Sequence, residues 1–364
     1  MTRPSAPKKG DDTRALVMMA TAAVAMAVAI GYSKATGMGR ADYAHAAAQS
    51  QPRPRDVLVA AYPKSGHYWL RFLLAHAWAL REDNFPPPPE VDFASIEAFM
   101  PDLEYGPARQ AFAAHAAPSP GDVRPRLYKS HQAHVPWPGA SPPCDASVGP
   151  GLDPQACACP NCPARWRRVV YLVRDGRDAV CSHWHFERAL GNLAAPNATF
   201  AEFVSAKGTY PGVGWGAHVA SYAGAVVDPS AAATAAASPD ARVEGYLVRY
   251  EALHADAAGA VADLARWLGW KLEPHAAKEA AAKASFDAMS KSEDATPPVL
   301  FEKHYGGARG AGFRLTRSGK AGGWRQCFGD RGSPEGDEAR RVFMAEHGAS
   351  MVAYGYLGSL DEEW

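Results

Sequence analysis

The chain lacks an excess of charge of either sign: Lys and Arg together number 38, and so do Asp and Glu, among its 364 residues. Without a global field there is no general attraction for nucleic acid, so any anion must be met by a site built locally. Internal repeats are absent, which excludes a solenoid or a propeller. A Walker loop is missing too. It would read G-x-x-x-x-G-K-[ST], but in Pro63-Lys64-Ser65-Gly66 the Lys-Ser pair precedes the glycine, and Val59 stands five residues before Lys64. No acidic metal ligands are evident at a strand end, so a nucleotide-dependent kinase is the weaker enzymatic alternative. What is present is material for one large core, with 47% of residues hydrophobic.

The amino end has its own pattern. Residues 1–14 carry Arg3, Lys8, Lys9 and Arg14 against Asp11 and Asp12, and from Ala15 to Tyr32 the chain has no charge. That run can just span a bilayer, with the basic flank cytoplasmic and the body lumenal. The expected order is a cytoplasmic basic tail (1–14), a transmembrane signal anchor (15–32) and a stem (33–55) ending in alternating Pro and Arg. A transit peptide and a cleaved signal are the competing readings. The sequon Asn197-Ala198-Thr199 is compatible with a lumenal body.

From Asp56 onward short β-rich runs alternate with helical stretches. Strands are expected at 56–62, 125–131, 167–175 and 244–253, and helices at 67–80, 178–190 and 257–270. In the first helix Trp69, Phe72, Leu73 and Ala77 share one face and Arg71 falls on the other. The alternation predicts an α/β fold, a P-loop-like parallel sheet flanked by helices on both faces, in a single domain over 56–364. Its ligands are expected where strands end and helices begin. Three longer segments, 84–124, 135–166 and 291–323, interrupt the core as lids or insertions. Cys144, Cys157, Cys159 and Cys162 lie in the second, spaced C-x12-C-x-C-x2-C. Two local disulfides suit an oxidising lumen, with zinc or free thiols as alternatives. Cys181 and Cys327 are expected to stay reduced and buried.

The most informative stretch is Tyr62-Pro63-Lys64-Ser65-Gly66-His67-Tyr68-Trp69, where a strand ends, a turn offers backbone N–H groups and a helix starts. Such a place receives a small anion, and Lys64 adds a positive charge. Y-P-K-S-G-x-x-W resembles the 5′-phosphosulfate loop of the sulfotransferases that use 3′-phosphoadenosine 5′-phosphosulfate (PAPS). A second segment, Arg174 to Phe186, is similar to the family's strand Arg and helix Ser, here Arg174 and Ser182, which hold the 3′-phosphate. A third, Arg317-Ser318-Gly319-Lys320-Ala321-Gly322-Gly323-Trp324, is similar to the family's R-K-G-x-x-G-D-W loop over the same phosphate. Lys129-Ser130-His131 resembles K-T-H, whose His is the base, and Tyr250-Glu251 resembles Y-E-D-L. Weaker echoes are Trp215 with His218, and Ser285-Phe286 with Met289.

The resemblance, which covers about 56–330, implies a sulfotransferase domain with PAPS as co-substrate, no metal, and a hydroxyl-bearing small molecule, lipid or glycan as acceptor. It implies His131, Lys64 and Lys129 as the catalytic groups. Lys64, Ser65, Gly66, His67, Tyr68, Trp69, Arg174, Ser182, Arg317, Ser318 and Gly319 would hold the nucleotide, with Trp69 on adenine. His67 and Tyr68 replace two Thr, and both can donate a hydrogen bond; Ser318 replaces Lys and Gly323 replaces Asp. These departures keep open a catalytically inactive relative that only binds nucleotide. With the anchor, the expected location is a Golgi membrane, single-pass with a lumenal body; chloroplast or cytosol follows if the segment is removed. A homodimer stays open. Phe85, Phe93, Phe99, Phe112 and Trp137 are candidates for an apolar acceptor wall.

Overall fold

Four strands, Val57–Ala61 (β1), Leu127–Ser130 (β2), Arg168–Val173 (β3) and Glu244–Arg249 (β4), form one parallel sheet in the order β2-β1-β3-β4. The computed structural model describes residues 54–82, 90–93, 95–103, 125–133, 166–206, 213–226, 243–296 and 314–364. The expected tail, anchor and most of the stem lie outside these residues, as do Cys144, Cys157, Cys159, Cys162, Phe85, Phe112 and Trp137. Among the described residues no helix is long and apolar enough to cross a membrane.

Both faces of the sheet are covered, as expected for short β-branched runs with no polar alternation. Side chains alternate between two cores. Val57, Val59 and Ala61 of β1 face one side together with Val170, Leu172 and Val248. Leu58 and Ala60 face the other with Tyr128, Val169, Tyr171 and Val173. The first face is packed by helices His67–Leu80 (α1), Tyr250–Ala255 (α6), Ala257–Leu268 (α7) and Pro274–Lys283 (α8). The second is packed by Gly176–Leu190 (α3), Phe200–Ser205 (α4), Trp215–Val226 (α5) and Pro334–Ala353 (α11). Short helices Ile96–Phe99 (α2) and Arg325–Phe328 (α10), and helix Phe286–Ala295 (α9), complete the described elements.

The α/β class and the four strands agree with expectation, with two local differences. The fourth strand stops at Arg249 and the chain turns helical at Tyr250. Glu-Ala-Leu are helix formers, and an apolar run of that length does not separate the two states. Arg71, expected on a polar face, is 1% exposed. Its guanidinium donates to Glu97 at 2.8 Å and to the carbonyls of Ile96 (3.1 Å) and Met100, so it ties α1 to α2. A buried charge so satisfied is tolerated where a lone one is not.

Helix α3 shows how the local sequence sets an element's limits. Asp175 caps it by accepting from the backbone N–H of Arg177 at 2.9 Å, and Gly191 ends it in the left-handed region at φ 72°. β1 lies between β2 and β3, so the chain leaves β1 to one side and returns to the other. The resulting crevice at the carboxyl ends of β1 and β3 is the ligand position for such a sheet.

The opposite end of the sheet carries a clamp. Arg126, just before β2, donates its Nε and Nη2 to Asp56, just before β1, at 3.2 and 2.6 Å, and Asp56 has no exposed surface. Arg126→Ala removes the guanidinium from that buried carboxylate and leaves it the main-chain N–H of residue 126. Unfolding in urea is expected to show a loss of about 3 kcal/mol, with the carboxyl-end crevice unaffected. A loss under about 1 kcal/mol, the scale of an exposed ion pair, would refute the clamp.

Candidate active site

The loop after β1 is held in a conformation that most residues avoid. Lys64 has φ 64°, the one described non-glycine residue in the left-handed region, and Gly66 has φ 100°. A side chain at Gly66 is excluded twice, because a Cβ there would lie 2.5 Å from the Tyr250 ring. Strain of this kind persists only where surrounding structure over-determines it, and it concentrates at functional sites. α1 starts at the next residue, so its first N–H groups point toward the same crevice as Lys64.

Arg174, at the end of β3, bridges the crevice. Its Nη1 donates to the carbonyl of Lys64 at 3.1 Å and its Nη2 to that of Lys320 at 2.9 Å, while the guanidinium lies 4.3 Å from the centre of the Tyr250 ring. Asp178, one turn into α3, fixes the far loop by accepting from the N–H groups of Gly322 (2.7 Å) and Trp324 (2.9 Å). Glu293 on α9 does the same upstream, accepting from the N–H groups of Leu315 (2.7 Å) and Thr316 (3.0 Å). Glu251 gives Tyr250-Glu251 a function: its carboxylate accepts from the Asp175 N–H at 2.9 Å, joining β4's end to β3's end.

These contacts surround a cavity of about 420 Å³ lined by Lys64, Gly66, His67, Tyr68, Trp69, Lys129, His131, Arg174, Ser182, Arg317, Ser318 and Gly319 among others. Of the residues expected at the site, Ser65 alone is not on that wall. It is fully buried, its Oγ without a hydrogen-bond partner among the described residues. Lys64 is half-buried with its ammonium 4.4 Å from the Phe186 ring centre. Burial pulls the Lys64 pKa down to about 8; nearby Glu293 opposes this, and Arg317 and Arg174 add to it. Arg317 is lowered as well, by desolvation and then by Arg174. Three cations thus converge on one space, where Arg174 pulls down the pKa values of both Lys64 and Arg317, an arrangement suited to a polyanion.

His131 stands where β2 ends. Its Nδ1 lies 2.6 Å from the carbonyl of Ala61, so Nδ1 carries the hydrogen and Nε2 the lone pair. Its pKa is well below the ordinary histidine value, because of burial first and then Lys129. The imidazole is therefore neutral at physiological pH. Its backbone is pinned from α5: His218 Nε2 meets the carbonyl of His131 at 2.9 Å, and the Tyr222 hydroxyl donates to that of Gln132 at 2.7 Å. Tyr171 from β3 completes the line at 2.8 Å from His218 Nδ1.

Two expected ligands are differently engaged. Lys129 lines the cavity but forms a buried ion pair with Asp102 at 2.7 Å, so its charge is balanced before any ligand arrives. His67 turns its Nε2 to the carbonyl of Val59 at 3.4 Å and packs edge-on to His131. Burial pushes its pKa far down as well, and its N–H points into the sheet. Of the aromatic candidates for the acceptor wall, Phe93 is buried against Phe72 and Tyr68, and Phe99 packs on Trp78. Neither borders this cavity.

His183, read from the sequence as structural or pocket-lining, borders the cavity. Its partners escaped that reading: Tyr62, His183 and Glu187 form a buried chain, with the Tyr62 hydroxyl 3.2 Å from Nδ1 and Glu187 3.2 Å from Nε2 of His183. The i, i+4 spacing of His183 and Glu187 was visible, but not that Tyr62 would meet them. The expectation of reduced Cys181 and Cys327 is overturned, since the two form a disulfide across 146 residues. Asp178 is the reason: holding the Trp324 N–H, it lays α10 against α3 and brings the cysteine Cα atoms to 5.8 Å, within disulfide range.

Gly66→Ala forces both the left-handed backbone and the contact with Tyr250 to yield. Unfolding in urea should show a loss of roughly 1–3 kcal/mol, the strain of a side chain held in such a conformation. Wild-type stability would mean that the turn is not held as described.

Comparison with known proteins bears on the fold. Among solved structures, retinol dehydratase in a complex with retinol and PAP (3′-phosphoadenosine 5′-phosphate) superposes with a TM-score of 0.50 at 20% identity, over 86% of this chain and 84% of that one. A mouse sulfotransferase complexed with PAP gives 0.49 at 16% identity, over 85% and 92%. Retinol dehydratase with androsterone and PAP gives 0.49 at 21%, over 81% of each chain. No curated protein matches the chain. The family model described as sulfotransferase domain matches residues 164–339, a span that holds Arg174, Ser182 and Arg317 and excludes Lys64 and His131. A parallel β2-β1-β3-β4 sheet with helices on both faces, superposing on such a protein, is the sulfotransferase fold, and from 164 to 339 the chain matches the sulfotransferase domain.

Proposed function

We propose that this protein transfers a sulfuryl group from PAPS to the hydroxyl of a small-molecule acceptor. The observation that carries the reading is the convergence of Lys64, Arg174 and Arg317 on one cavity that also holds a neutral imidazole, His131. A nucleotide with phosphates at both the 3′ and 5′ positions needs cations at two places. Lys64 and the start of α1 would take the 5′ side. Arg174, Ser182, Arg317 and the N–H groups of the far loop would take the 3′ side. Trp69 is half-buried on the wall of the same cavity, where a purine can stack.

The chemistry is an in-line displacement at sulfur. The acceptor oxygen forms the new S–O bond, the bond from sulfur to the 5′-phosphate oxygen breaks, and the electron pair leaves with the phosphate. His131 Nε2 takes the hydroxyl proton, its orientation set by the Ala61 carbonyl and its backbone by His218. Lys64 offsets the charge that appears on the leaving phosphate. Lys129, paired with Asp102, contributes an oriented N–H donor to the sulfuryl oxygens more than a net charge. The acceptor would be a compact hydroxyl compound, because Phe186, Met289 and Leu315 give the wall apolar surface.

Three measurements test this. PAP should raise the melting temperature of the full chain more than ATP does, since ATP lacks the 3′-phosphate; equal shifts would remove the 3′ site and favour a kinase. His131→Ala should bind PAP as the wild type does but turn over at least about 100-fold more slowly. Retained turnover would put the base elsewhere. PAP binding with no sulfuryl transfer to any acceptor class would favour the inactive relative.

The third is a pH dependence with a defined sign. The ammonium form of Lys64 binds phosphate and the free amine does not. Affinity for PAP should be full below pH 8 and fall as pH rises through about 8, where Lys64 loses its proton. The slope should approach tenfold per pH unit for one linked proton. Lys64→Arg, always charged, should abolish that slope even if affinity drops.

A further inference from the structure

Asp178, Cys181, Ser182 and His185 lie at i, i+3, i+4 and i+7 of α3, so they share the face turned to the loop that runs from Arg317 to Trp324. Ser182 serves the nucleotide, Asp178 holds the loop's N–H groups, and Cys181 is bonded to Cys327 on α10 just beyond it. His185 has no part in the proposed reaction, yet its Nε2 is 3.5 Å from the Cys327 sulfur, and its ligand nitrogen and the two sulfurs all fall within 4.8 Å of one another.

We propose that Cys181, Cys327 and His185 form a two-state clasp over the 3′ side of the nucleotide site: a disulfide when oxidised, and a site for a thiolate-preferring divalent cation of the zinc kind when reduced. Thiolate and imidazole bound at about 2.3 and 2.0 Å to a tetrahedral zinc stand about 3.5 Å apart, which is the spacing between His185 and Cys327. The Cα separation of 5.8 Å lets the cysteines move from one bond to two ligands by side-chain rotation alone. Cys181 is buried, while His185 and Cys327 are half-buried, so a cation can enter and a fourth position is left for water.

The exchange balances simply. A dithiol reductant gives two electrons and two protons to the disulfide and leaves as its own disulfide; the cation then displaces the two thiol protons to solvent. Either closed state joins α10 to α3 and holds the loop carrying Arg317. The reduced, metal-free state has neither bond nor ion, and leaves that join to Asp178, the Arg177 guanidinium over Trp324 and apolar packing. The effect on nucleotide rests on the function proposed above, whereas the metal chemistry does not.

The test uses the full chain with Cys144, Cys157, Cys159 and Cys162 changed to Ser, reduced with a phosphine without oxygen and titrated with Co²⁺. A thiolate-to-cobalt charge-transfer absorption should appear and saturate at one equivalent. Adding C181S and C327S should remove it, and H185A should raise the midpoint at least about tenfold, as the loss of one of three ligands requires. PAP should bind the reduced metal-free protein at least about fivefold more weakly than the oxidised or zinc-loaded forms, the lower range for coupling between sites. If the four-serine chain fails to fold, peptide-resolved alkylation of the reduced wild type replaces the absorption, and Zn²⁺ should protect Cys181 and Cys327. No cobalt–thiolate absorption from a reduced protein that still binds PAP, or alkylation indifferent to zinc, overturns the site. Equal PAP affinity in all three states overturns the clasp. A cobalt signal in a protein that never transfers a sulfuryl group would sink the proposed reaction and leave the metal site standing.

Discussion

The guanidinium of Arg174 is the contact on which the remaining geometry depends. It leaves the end of β3 and donates to two carbonyls belonging to separate loops, those of Lys64 and Lys320, while lying over Tyr250. Tyr250 in turn fills the space that a side chain at Gly66 would need, so the same ring supports the guanidinium and enforces the strained turn. A lysine could not replace this arginine, because one ammonium cannot span two carbonyls in a fixed plane and also stack on a ring.

Around this cation the protein arranges carboxylates that do not line up with ligands but with the backbone. Asp178, Glu251 and Glu293 each accept from main-chain N–H groups of a loop or strand end. Charged acceptors on amides are strong, directional bonds. Around the cavity, then, the cations face the ligand space while these neighbouring carboxylates are committed to holding loops. Lys129 with Asp102 is the exception, a cation neutralised inside the site.

The strands and the turn at Lys64 were legible because each is local: an apolar run, a turn signal and a helix start within a few residues. Arg174 and Ser182 were singled out by resemblance, and the structure shows only that both line the same cavity. His131 was singled out by resemblance, and its place at the end of β2 follows from the strand run; its tautomer was not legible, since the Ala61 carbonyl that sets it is 70 residues away. Arg71 was misplaced because helical periodicity assigns it to the polar side, and only the arrival of α2 makes burial affordable there. Tyr250-Glu251 was read as strand because an apolar run carries no mark of where extended backbone ends. Asp102, Glu293 and the Cys181–Cys327 bridge answer to partners that no spacing rule brings near. These residues are matched in space by the sheet, not by sequence.

The sheet order also determines how the protein must come into being. β1 pairs with strands about 70 and 110 residues further on, and Arg174 meets Lys64 across 110 residues and Lys320 across 146. No short stretch can form a strand pair or a piece of the cavity by itself, and loop-closure entropy is charged before any of these contacts returns it. Until β3 docks beside β1, the apolar edges of β1 stay open to other chains. During synthesis the nascent chain must therefore carry an unfinished β1–α1 unit until about ninety further residues have been made, and it is in that interval that a chaperone has most to protect.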